Sequence, residues 1–132
     1  MFELVYHSMA KPGLSRDDIT KILNKARAFN SINNISGCLL YHNNEFLQIL
    51  EGEKEVVKDL FSSIGKDDMH SNVYLIMEGE KTERAFPDWS MAYHDFTVNS
   101  LGKFVSLSDF TNKPSLAIDL FYEMSQQMLS SR

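Results

Sequence analysis

The sequence holds a single cysteine, Cys38, and only six glycines and three prolines in 132 residues. One thiol cannot close an internal disulfide, so packing must hold the core, and a reduced, cytoplasmic setting is expected. The glycines form neither a phosphate-cradling loop nor a GxGxxG fingerprint, which excludes a Rossmann-type nucleotide site. No apolar run reaches bilayer-spanning length, and residue 1 leads into a strand-like segment rather than a signal peptide, so no membrane partner is expected. Positive charge is also scarce: 13 Lys and Arg stand against 18 Asp and Glu, for a net charge of -5. Without a clustered basic face there is nothing to neutralise phosphates, and nucleic acid is not expected as a partner. His7, His42, His70 and His94 lack ligand spacing with Cys38 or with a carboxylate cluster, so no metal site is expected. No nucleophile motif is present, and the chain is not expected to be an enzyme.

What is there suits one soluble domain: 43% hydrophobic and 23% charged residues, enough for a single core. Residues 2–8 read as a strand with Phe2, Leu4 and Tyr6 on one face and Glu3, Val5 and His7 on the other. Lys11-Pro12-Gly13 breaks it, and Ser15 followed by Asp17 and Asp18 marks a helix start. Ile19, Ile22, Leu23 and Ala26 then form an apolar stripe, and Asn30 falls close to three turns after Ile19 on that same stripe. Residues 35–41 and 45–51 read as a hairpin around His42-Asn43-Asn44, and residues 53–66 as a second helix. A fourth strand is expected over residues 72–78 and a fifth over 89–96, after the Phe86-Pro87-Asp88 turn. This order predicts an α+β, ferredoxin-like βαββαββ fold, with a five-stranded mixed sheet and two helices on one face.

Residues 1–97 then form the core and 98–132 a helical extension. Behind Pro114, Ala117, Leu120, Phe121, Met124 and Met128 make an apolar stripe. If Leu4, Tyr6 and Leu50 face the first two helices, Val5, Leu39, Tyr41, Leu47 and Ile49 point away from them and need a cover. The C-terminal helix, or a second subunit, is expected to supply it.

Gln48 sits mid-strand among Phe46, Leu47, Ile49 and Leu50, where its amide needs partners or costs roughly 1–3 kcal/mol. Tyr6 points to the same face and could serve as ordinary structural glue. Asn30 at a helix end could be a simple capping residue. Three polar side chains converging between helices and sheet also make a slot with apolar walls and a polar end, suited to a flat heteroaromatic ring. Cys38 reads as a small core residue and Asp67-Asp68 as a solvated turn.

Four segments carry a resemblance: Leu4-Val5-Tyr6-His7-Ser8, Ile35-Ser36-Gly37, Phe46-Leu47-Gln48-Ile49-Leu50-Glu51-Gly52 and Phe86-Pro87-Asp88-Trp89-Ser90-Met91. In order and spacing they resemble BLUF domains, sensors of blue light using FAD, over residues 1–96. The resemblance implies a flavin photoreceptor with FAD bound non-covalently, FMN and riboflavin being the other flavins open to it. It implies that Tyr6 and Gln48 form the light-responsive pair, and that Asn30 contacts the flavin carbonyl and imide edge. It places Ile22 and Ile64 on the two ring faces, Phe46 and His70 at the cofactor site, and Trp89 and Met91 as signal-output residues on the fifth strand. Phe29, where the family often has a polar residue, and Ser63, near which it often has a basic one, depart from the pattern.

The family's response, so carried over, moves an electron and then a proton from Tyr6, after which Gln48 rotates, tautomerises or does both. A small reversible red shift follows. Output is expected through the fifth strand and C-terminal helix to a homo-oligomer or a separate protein partner. Two other readings share the architecture. A non-photoactive flavin- or small-ligand-binding regulatory module would keep the pocket and lose the response. An acylphosphatase-like enzyme would need an arginine-bearing phosphate loop after the first strand, and none is found.

Overall fold

The computed structural model describes residues 1–95 and 106–130, with side chains as far as residue 127. The expected strand end at Phe96, the boundary between residues 97 and 98, and the Met128 side chain lie outside the described residues.

Strand β1 (Phe2–Ala10) runs into helix α1 (Arg16–Ile32), whose start is fixed by a capping box. The Asp18 amide donates to Ser15 Oγ and the Ser15 amide to Asp18 Oδ2, satisfying two N–H groups that the helix cannot. Strands β2 (Ser36–His42) and β3 (Glu45–Gly52) form a hairpin. Its tip is the pair Asn43 and Asn44, at φ 47° and 66°. Two consecutive left-handed residues are what a type I′ turn requires, and asparagine tolerates them better than other side chains. Helix α2 (Lys54–Ile64), strand β4 (His70–Glu80), strand β5 (Ala92–Asp95), a 3-10 turn over Leu107–Phe110 and helix α3 (Pro114–Ser130) follow.

The sheet order is β4-β1-β3-β2-β5. The first four strands are antiparallel neighbours in ferredoxin-like order, and β5 adds parallel to β2. Tyr6 lies opposite Gln48 across β1 and β3. Gly37 is forced by a close approach: a Cβ there would lie 2.1 Å from the Ile49 carbonyl oxygen of β3.

Each sheet face has its own core. Phe2, Leu4, Tyr6, Phe46 and Leu50 pack against Ile19 and Leu23 of α1 and Val57 of α2. Val5, Cys38, Leu40, Leu47 and Ile49 pack against Leu107 and against Ala117, Phe121 and Met124 of α3. The C-terminal helix is thus the cover that the second apolar face needed. The face assigned to β2 requires correction. Leu39 pairs with Gln48 and Tyr41 with Phe46, so both belong to the α1–α2 side, and Cys38 and Leu40 take the α3 side. Cross-strand partners share a face, and it is this register that decides the matter.

The fifth strand is also shorter than expected. Trp89 and Met91 precede it, in the bend after Phe86, because pairing with β2 begins only at Ala92. Strand β4, conversely, begins two residues early, through a bulge between His7 and Met9 of β1 and a left-handed Asn72 at φ 50°.

Candidate functional site

Between α1, α2 and the sheet lies a cavity of about 560 Å³. Ile22, Ala26, Leu39, Leu60 and Ile64 give it apolar walls, and Tyr6, Asn30 and Gln48 supply polar groups from β1, α1 and β3. Ile22 and Ala26 are left half-buried because the α1 stripe faces this space rather than a packed neighbour. His70 lines it as well; its Nδ1 lies 2.8 Å from Ser8 Oγ and its ring packs edge-on to Tyr6. Lys21, Lys25 and the exposed ring of Phe29 line the α1 side, with Ser63 and Asp67 on the α2 side.

The hydrogen bonds at the polar end leave Gln48 a single orientation. The Tyr6 hydroxyl donates to Gln48 Oε1, and Gln48 Nε2 donates to Met91 Sδ at 3.1 Å. A thioether sulfur only accepts, so the amide nitrogen must face Met91. Burial pushes the Tyr6 phenol well above its usual range, and the charge of Asp67 adds to this. The phenol therefore stays protonated at neutral pH and remains the donor. Asn30 is 1% exposed; its Nδ2 donates to the Ser90 carbonyl at 2.8 Å, while its Oδ1 has no partner.

Tyr6, Ile22, Asn30, Gln48, Ile64 and His70 thus converge on one cavity. Phe46 does not reach its surface: it is fully buried behind the wall, packed on Tyr41 and His70. Met91 contacts Gln48 even though β2 separates β3 from β5, because the bend before β5 carries it there. Trp89 packs instead with the core beneath α3. Asp67 is no plain solvated turn residue; it accepts from the Met69 amide and lines the cavity.

Sequence reasoning missed Glu51. Its buried carboxylate accepts from Ser36 Oγ, Lys81 Nζ and the amides of Ala85 and Phe86, pinning the segment that leads to Met91. Lys81 also lies 2.9 Å from Glu3. Burial pulls the Lys81 ammonium down, but the hydrogen bonds and charges of Glu51 and Glu3 outweigh it and leave Lys81 raised. Strand alternation offered the signal, since a glutamate two residues from Ile49 must share its face.

Residues 1–92 match the sequence pattern of the BLUF family, sensors of blue light using FAD. The chain belongs to that family. It is 35% identical over 107 residues to a photoactivated adenylate cyclase subunit beta of Euglena longa, a match covering 80% of this chain and 12% of that protein. The chain therefore spans a small part of its curated relatives. Among solved structures, BlsA in its photo-activated state superposes with a TM-score of 0.78 at 34% identity, covering 93% of this chain and 92% of that one. BlrB, a BLUF protein in its dark state, gives 0.81 at 26% identity, covering 96% of each chain. Among the described residues, no helix is long and apolar enough to cross a membrane, and no group of three or more His, Cys, Asp or Glu could hold a metal.

The site fits a flavin. An oxidised flavin presents a flat apolar ring system with an imide edge of alternating acceptors and one donor. The cavity offers apolar walls, a volume within the range of about 300–1,000 Å³ usual for ligand sites, and, in Asn30 Oδ1, a buried acceptor that still needs a donor.

Proposed function

We propose that this chain senses blue light through a flavin held between α1 and α2, and that Tyr6, Gln48 and Met91 convert its excitation into a change of hydrogen bonding. FAD is the flavin proposed, with FMN and riboflavin as the alternatives. The bound flavin would supply the blue-light absorption and an excited state able to take an electron. Asn30 Oδ1 would accept from the imide N–H, and Ile22 and Ile64 would sandwich the ring. Lys21 and Lys25 would face the tail.

The observation that carries this reading is the Tyr6–Gln48–Met91 relay. Each link depends on which end of the Gln48 amide faces which partner. If Tyr6 ceases to donate and the amide turns over, Oε1 replaces Nε2 before the Met91 sulfur. Two acceptors then oppose each other, and the Gln48–Met91 hydrogen bond is lost. Tautomerisation that removes the Nε2 proton facing sulfur has the same consequence. The bend carrying Trp89 and Met91, and then β5, are the elements placed to feel that loss.

Output is proposed to pass from β5 and the residue 98–132 extension to a second copy or a separate protein. No catalytic role is proposed for the chain itself. The test is direct: purified protein should be yellow, red-shift under blue light and recover in darkness. Tyr6→Phe and Gln48→Leu should retain flavin and lose the shift. A normal photocycle in either variant overturns the roles, and protein that stays colourless after incubation with flavin overturns the reading.

A further inference from the structure

The bend before β5 has three consecutive carbonyls, each held by a different group. The Trp89 carbonyl accepts from the Gly37 amide of β2 at 3.1 Å. The Ser90 carbonyl accepts from Asn30 Nδ2 at 2.8 Å, and the Met91 carbonyl from Arg27 Nε at 3.0 Å. Arg27 and Asn30 stand three residues apart on α1, so both project from one helix face. Asn30 lines the cavity; Arg27 is not among the residues that do. Met91 is therefore held at two points, its sulfur by Gln48 and its carbonyl by a guanidinium, whose charged donor makes the stronger kind of hydrogen bond.

We propose that Arg27 is a positioning residue for the light response. It fixes the Met91 backbone so that the sulfur lies before Gln48 Nε2, and it keeps the backbone in that place while the sulfur is displaced. The proposal rests on the photoreceptor reading, and deepens it by naming what restores the resting state. Loss of the Gln48–Met91 bond would leave the Arg27 contact as the tether about which the Met91 side chain swings. Removing Arg27 frees the Met91 backbone while the sulfur is displaced, so the sulfur has more positions to search and its return should slow.

Arg27→Met keeps the aliphatic stem and deletes the donor, and Arg27→Lys keeps a charged donor. Flavin affinity should match the parent protein in both, because Arg27 is outside the cavity wall. Dark recovery should slow about three- to tenfold in Arg27→Met, part of the roughly five- to thirtyfold that ordering one residue's backbone represents, because Gly37 and Asn30 still hold the neighbouring carbonyls, and Arg27→Lys should restore part of it. Trp89 is the sole tryptophan, so fluorotryptophan labelling gives a single fluorine resonance that reports this bend. That resonance should move in dark Arg27→Met. Recovery at the parental rate with an unmoved resonance overturns the proposal, as does slowing that Arg27→Lys fails to relieve. If the parent binds flavin and shows no shift, the photoreceptor reading falls instead, and the dark resonance alone decides whether Arg27 positions Met91.

Discussion

Tyr6 and Gln48 face each other as cross-strand partners, and each constrains what the other can be. Tyr6 cannot ionise at ordinary pH in so buried a place, so it offers a proton rather than a charge. Gln48 can satisfy both a donor and an acceptor only in one orientation, because sulfur stands on one side and a hydroxyl on the other. His70 beside them gives a pH prediction. Burial lowers its pKa below the ordinary 6.5, against the opposing charge of Asp67. Well above pH 6.5 the imidazole is neutral in folded and unfolded chains alike and contributes no slope. Below it the unfolded chain takes up the proton first, so stability falls with pH and levels off only beneath the folded pKa. Thermal unfolding of the flavin-free protein should show this decline, and His70→Gln should flatten it. An unchanged slope in that variant would place the titration elsewhere.

The elements explain why these residues meet. Strand β3 presents Phe46, Gln48 and Leu50 to the α1–α2 side and Glu45, Leu47, Ile49 and Glu51 to the α3 side, so it borders both cores. Glu51 anchors the approach to Met91, and Glu45 accepts from His7, Ser106 and the Ser108 amide, tying down the start of the C-terminal segment. The β2–β3 pair must come close at Gly37 for the bend to receive its amide. Gly37→Ala drives a Cβ into the Ile49 carbonyl, which neither backbone can yield cheaply. A loss of about 2 kcal/mol is expected from this overpacking, read from denaturant midpoints. Because the Trp89 carbonyl loses its geometry too, the Trp89 fluorine resonance should shift in the same variant. A stability change under a few tenths of a kcal/mol would show that the strands separate more easily than this geometry implies.

At the scale of the whole molecule, the central strands β1, β3 and β2 are covered on both faces by one chain, while β4 stays partly exposed at the edge. Removing the residues after 96 would uncover Val5, Cys38, Leu40, Leu47 and Ile49, because Leu107, Ala117, Phe121 and Met124 cover them. Such a patch is not tolerated by a dispersed monomer. The truncated chain should self-associate or precipitate, as sedimentation would show, and should keep its cavity if it stays folded. A dispersed, monomeric truncation would mean that the back face has some other means of protection. Sedimentation of the intact chain in darkness and under blue light tests the proposed oligomeric output; identical profiles leave a separate partner as the output to be sought.

Much of this was legible in the sequence, since hydrophobic period and turn chemistry are local properties. The Ser15 start, the Asn43-Asn44 tip and the alternation of β1 and β3 gave the element order and put Tyr6 and Gln48 on one face. Asn30 joined them because helical period carries an apolar stripe three turns along α1. Register and the path of irregular chain are not local. Leu39 and Tyr41 went to the opposite face from the one expected, because the β2–β3 pairing, not the composition of β2, sets its orientation. Phe46 belonged to the right face yet stopped behind the wall, as neighbouring rings filled the space first. Met91 was expected on a strand and stands before it, brought to Gln48 by a bend whose shape depends on Glu51, Gly37, Asn30 and Arg27, residues 35 to 64 positions away from those they hold. The sequence by itself determined which residue types line the slot. Only the tertiary structure decided which end of Gln48 meets which partner, because hydrogen-bond direction is settled by groups that come together when the chain folds.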